Sequence, residues 1–138
     1  TGIALKSLDV FELTNPNITE TIITHSLFER KEKFLSISDA FIVMPGGVGS
    51  MDELLEVMVS NHLGEINKPI GILNINGYYD SFIDWLQHAV DEQFVSVENQ
   101  QRVLISSDPA ELLEMILIAE MPDPDSWFER LNTDPTPS

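Results

Sequence analysis

Apolar residues along the chain alternate between short unbroken runs and longer stretches with helical spacing. Residues 19–24 (TETIIT) are rich in β-branched side chains and predict a strand. Ser26 with Glu29 then forms a capping-box signature for a helix over Leu27–Ile37, in which Leu27, Phe34 and Ile37 share a stripe. Residues 40–44 (AFIVM) and 69–74 (PIGILN) predict strands buried on both faces. Between them a helix runs to His62, with Leu54, Leu55, Met58 and Val59 as its core face and Leu63-Gly64 as its end. Asp80 or Ser81 is expected to cap a helix carrying Phe82, Trp85, Leu86 and Ala89, and residues 94–97 to be a connection. Residues 103–105 predict a strand. Ser107 or Asp108 then caps a last helix with Pro109 in its first position and Leu112, Leu113, Ile116 and Leu117 on its core face.

This alternation predicts an α/β fold, Rossmann-like, with a parallel sheet between helical layers. Residues 1–121 are expected to form a single domain and residues 122–138 a Pro- and acid-rich tail. In that tail Trp127 and Phe128 are expected to dock and residues 132–138 to be mobile. Residues 1–18 carry little regular pattern, and Asn15-Pro16-Asn17 predicts a turn. Ligands of such folds bind beyond the carboxyl ends of the strands. At one such end lies Pro45-Gly46-Gly47-Val48-Gly49, followed by Ser50 as an expected helix N-cap. Glycines let backbone N–H groups approach an anion closely, and the first N–H groups of a helix lack intrahelical partners. A plain βα turn can also use glycine, but three glycines in four residues ahead of a hydroxyl favour a phosphate cradle.

Composition narrows the choice of partner. Seven Lys and Arg stand against 23 Asp and Glu, for a formal net charge of −16, which disfavours nucleic acid and anionic membrane. A small anion held by backbone N–H groups remains compatible. Three of the seven cations fall at Arg30, Lys31 and Lys33. The absence of cysteine removes disulfides, thiolate catalysis and Cys-ligated zinc, and the three histidines lack metal-ligand spacing. No apolar run reaches the ~20 residues of a membrane span. With no signal-like N-terminus, the expected location is the cytoplasm.

The block Glu29-Arg30-Lys31 followed by SDAFIVMPGGVGSMDE resembles the R-K…P-G-G-x-G-T-x-x-E signature of the LOG proteins, with Glu53 standing 23 positions after Arg30. KPIGILNINGYYD also looks like that family, and the resemblance runs from about residue 19 to about residue 117. LOG proteins are cytokinin riboside 5′-monophosphate phosphoribohydrolases, many of them labelled lysine decarboxylases. Ser50 replaces the motif threonine and keeps its hydroxyl. Family members begin with a strand and a second glycine-rich turn, and residues 1–18 offer no pattern for them, so an N-terminally truncated relative is expected.

The resemblance implies hydrolysis of the N-glycosidic bond of AMP or a cytokinin riboside 5′-monophosphate. It makes Glu53 and Arg30 the catalytic pair, with Glu53 stabilising a cationic sugar or activating water. Its place in the first helical turn is expected to favour the ionised form. Lys31, Gly46, Gly47, Val48, Gly49 and Ser50 become substrate and phosphate ligands. No lysine lies in a pyridoxal-phosphate context, so no cofactor and no amino-acid decarboxylation are expected. The family is typically dimeric, which makes a homodimer the expected assembly. The alternatives are a truncated module that oligomerises or binds nucleotide without turnover, and a nucleotide or cofactor carrier.

Overall fold

A computed structural model describes residues 1–9 and 17–122. The expected turn at Asn15-Pro16 and the tail from residue 123 lie outside the described residues. The chain separates into two compact units, Thr1–Ser38 and Asp39–Ser138.

In the first unit, strand β1 (Gly2–Leu5) leads into a short helix α1 (Lys6–Asp9). It pairs in parallel with β2 (Thr21–Thr24), Gly2 opposite Thr21 and Leu5 opposite Thr24. β1 corrects the expectation that residues 1–18 hold no strand: pairing with β2, a contact distant in sequence, defines it. Helix α2 (Leu27–Ile37) has the expected bounds. Ser26 Oγ accepts the Glu29 N–H at 3.0 Å, and Glu29 Oε2 accepts the His25 N–H at 2.7 Å. The predicted stripe is not buried. Phe34 is half-buried, but Leu27 and Ile37, at the two ends of the helix, are exposed.

The second unit holds a parallel sheet of order β3 (Phe41–Val43), β4 (Ile70–Leu73), β5 (Val103–Ser106). β4 is buried throughout, as its unbroken apolar run predicts. β3 is not. It is an edge of this sheet, Phe41 and Val43 are half-buried, and Ile42 on the other face is exposed. Helix α3 (Val48–His62) follows β3 and buries Leu54, Val57, Ser60 and Asn61, a face rotated from the predicted one: Leu55 and Val59 are exposed. Asn61 acts as a clasp for the α3–β4 loop, its amide accepting the Lys68 N–H and donating to the Lys68 carbonyl, both at 2.9 Å.

Helix α4 (Asp80–Asp91) buries Leu86 and Ala89. Its N-cap is Tyr79, with neither Asp80 nor Ser81 capping it. At the end of the expected connection begins a helix that was not predicted, α5 (Val97–Gln101), capped by Ser96. Helix α6 (Pro109–Ile118) is capped by Asp108 as predicted and packs Leu112 and Ile116 on Leu73. Leu113 and Leu117 face outward. The arrangement is α/β and Rossmann-like, built on parallel strands. Among the described residues no helix is long and apolar enough to cross a membrane.

Candidate active site

In the second unit the βα loops leave the carboxyl ends of the three parallel strands. The loop after β3 carries the glycine turn. Gly47, in extended conformation, is the N-cap of α3, and the Met51 N–H is bonded to the Gly47 carbonyl at 3.1 Å. The helix therefore opens at Val48, and Val48, Gly49 and Ser50 supply its first, intrahelically unpaired N–H groups. This corrects two expectations. Ser50 is the third helical residue rather than the cap, since two glycines let the chain enter helical geometry before reaching it. Glu53 is accordingly in the second turn, beyond the reach of the strongest helix-terminus effect.

Gly46 is required by close approach. A Cβ there would lie 2.1 Å from Ser50 Oγ and 2.9 Å from Ser50 Cβ. Ser50 thus closes the turn against Gly46, while Gly47, Val48 and Gly49 face solvent. Glu53 is half-buried, three residues beyond Ser50 and so on the same side of α3 one turn on. Asp52 beside it is exposed and Glu56 half-buried.

The loop after β4 reaches across to the glycine turn, which sequence reading missed. Asn76 (φ 53°) and Gly77 (φ 71°) turn the chain sharply through the left-handed region. Asn74 braces it: its side-chain oxygen accepts the Tyr79 N–H at 2.7 Å and its amide donates to Asp80 Oδ1 at 2.8 Å. The Tyr79 hydroxyl donates to the Met44 carbonyl at 2.7 Å and the Tyr78 hydroxyl to the Gly46 carbonyl at 2.6 Å. Burial raises the Tyr79 pKa above the ordinary 10.0, and the neighbouring Tyr78 raises it further. The signal available in the sequence was an adjacent tyrosine pair beginning four positions after a predicted strand end.

Gly46, Gly47, Val48, Gly49, Ser50 and Glu53 thus occupy one turn and the helix it opens. Arg30 and Lys31 lie on α2 of the first unit, where both are half-buried and Arg30 Nε donates to the Ile3 carbonyl at 3.4 Å.

The family described as "possible lysine decarboxylase" matches residues 1–116. Cytokinin riboside 5′-monophosphate phosphoribohydrolase LOG2 of Arabidopsis thaliana is 38% identical over 135 residues, covering 98% of this chain and 63% of that protein. The rice (Oryza sativa subsp. japonica) cytokinin riboside 5′-monophosphate phosphoribohydrolase LOG is 38% identical over 88% of this chain and 50% of its own length. The enzyme of the same description LOG4 of Arabidopsis thaliana is 39% identical over 81% of this chain and 52% of its own. The chain thus spans between 50% and 63% of the length of these relatives.

Proposed function

The chain belongs to the "possible lysine decarboxylase" family, and on that premise we propose that it is a phosphoribohydrolase of nucleoside 5′-monophosphates of the AMP or cytokinin riboside type. The observation that carries the reading is the glycine turn opening α3 at Val48, with Glu53 one turn beyond Ser50 on the same helix. The N–H groups of residues 47–50 and the Ser50 hydroxyl hold the 5′-phosphate. The family motif, rather than any contact with the glycine turn, assigns Arg30 the role of a planar fork of donors for phosphate or ribose and Lys31 that of a second cation.

In the reaction the bond between C1′ and the base nitrogen breaks and its electron pair leaves with the base. Positive charge develops over C1′ and the ring oxygen. The Glu53 carboxylate stabilises that charge and orients the attacking water, which delivers hydroxide to C1′ and a proton to the departing base. The products are a free base and ribose 5-phosphate. Acidic residues elsewhere repel a phosphate, so neutral backbone donors suit this chain as its anion ligands.

The test is release of adenine from AMP by the chain and by its Glu53→Ala variant. A loss of about 100-fold or more in the variant supports the assignment. Equal rates would remove Glu53 from the chemistry, and AMP binding by the parent without adenine release would replace hydrolysis by nucleotide binding alone. The proposed assembly is a homodimer, supported by apolar side chains exposed beside a cavity of about 230 Å³ between α3, α4 and α5, among them Val59, Trp85 and Phe94.

A further inference from the structure

Tyr78 and Tyr79 have no part in the chemistry above, yet both direct their hydroxyls at the backbone of the glycine turn. Their rings meet edge to face, centroids 5.0 Å apart and planes at 86°. Tyr79 is the anchor, only 3% exposed, and its loop is fixed by the Asn74 hydrogen bonds. Tyr78 is 56% exposed and reaches over the turn to the Gly46 carbonyl.

We propose that the tyrosine pair sets the orientation of the Gly46–Gly47 peptide plane and so aims the Gly47 N–H for anion binding. The peptide is trans and planar, so its carbonyl and its N–H point in opposite directions. Neither flanking residue has a Cβ, so little steric resistance opposes rotation of this plane. Turned over, it would present a carbonyl dipole, which repels phosphate, where the N–H now stands. The Tyr78 hydroxyl engages the carbonyl and holds the plane in one orientation. Tyr79, bonded to the Met44 carbonyl, fixes where the turn leaves β3. Both are positioning residues: they organise donors before the ligand arrives, which lowers the ordering cost of binding. The inference rests on the phosphate role assigned to this turn under the proposed function.

Tyr78→Phe keeps the ring and alters an exposed side chain, so it leaves the fold in place. In isotope-labelled protein, the Gly46 carbonyl and Gly47 amide resonances are expected to shift or broaden in Tyr78→Phe beyond those of Gly49. Unchanged Gly46 and Gly47 resonances would overturn the peptide-plane lock, whether or not AMP binds. By calorimetry, AMP is expected to bind Tyr78→Phe about two- to tenfold more weakly than the parent. In turnover the change is expected in KM rather than kcat. Equal AMP affinity in parent and variant would also overturn the inference. A parent chain that binds no AMP would instead remove the nucleotide reading, while the resonances still decide the orientation of the plane.

Discussion

At Gly46 the tolerance of the turn comes down to one atom. A Cβ 2.1 Å from Ser50 Oγ and 2.9 Å from Ser50 Cβ cannot be relieved by rotating the hydroxyl alone, so the start of α3 must move. Gly46→Ala should cost about 1–3 kcal/mol, the range for forcing atoms into filled space. Gly47→Ala, with nothing within 4 Å of its Cβ, should cost less than about 1 kcal/mol, since only the cap preference changes. Urea denaturation of the two variants checks the contrast, and equal losses would contradict the close approach of Ser50. Tyr79 supplies a pH dependence. Burial first, then Tyr78, raises its folded pKa above the unfolded value of 10.0, so the neutral phenol is the favoured native form. Its stabilisation is fully present below about pH 10 and is lost as pH rises through the folded pKa, because the unfolded state releases its proton first. The stability advantage of the parent over Tyr79→Phe should therefore narrow as urea titrations are taken from about pH 8 to about pH 11. A constant difference would show that this hydroxyl does not titrate differently in the two states.

Among the elements, those with their own local signal were legible in the sequence. The α2 cap and bounds follow from Ser26 and Glu29, and β4 from its unbroken apolar run. The start of α6 follows from Asp108 and Pro109, and Asp108 Oδ1 accepts the Ala110 and Glu111 N–H groups at 2.8 and 2.9 Å. Asp108→Ala should accordingly cost about 0.5–2 kcal/mol in thermal or urea unfolding, and Asp108→Asn much less, because an amide oxygen still caps. Elements defined by distant partners were hidden. β1 is four residues long and exists by pairing with β2, and α5 (VENQQ) has no apolar period to announce it. The candidate site divides in the same way. Its glycines and Glu53 stand together in one stretch, whereas Tyr78 lies 32 positions beyond its partner Gly46 and Tyr79 35 beyond its partner Met44, and both meet the turn through the β3–β4 pairing. Ser50 was misplaced because a capping hydroxyl and a third-position hydroxyl look alike in sequence when glycines precede them.

For the whole molecule the net charge of −16 and the exposed apolar side chains act in opposite directions on self-association. Trp85 is 51% and Phe94 84% exposed beside the cavity between α3, α4 and α5, an expanse of apolar surface that pairing of two chains would remove from water. Two chains of the same large charge repel at every distance within the Debye length, about 30 Å at 0.01 M salt and about 8 Å at 0.15 M. Hydrophobic burial changes little over that range, so added salt should strengthen dimerisation by screening the repulsion. Light scattering coupled to size-exclusion chromatography should return the mass of two chains at about 0.15 M salt and a larger monomer fraction at about 0.01 M. Trp85→Glu, which places a further negative charge among these apolar side chains, should give monomer at both. A parent chain that stays monomeric at the higher salt would argue against the homodimer, and a dimer unaffected by Trp85→Glu would locate the interface on another face.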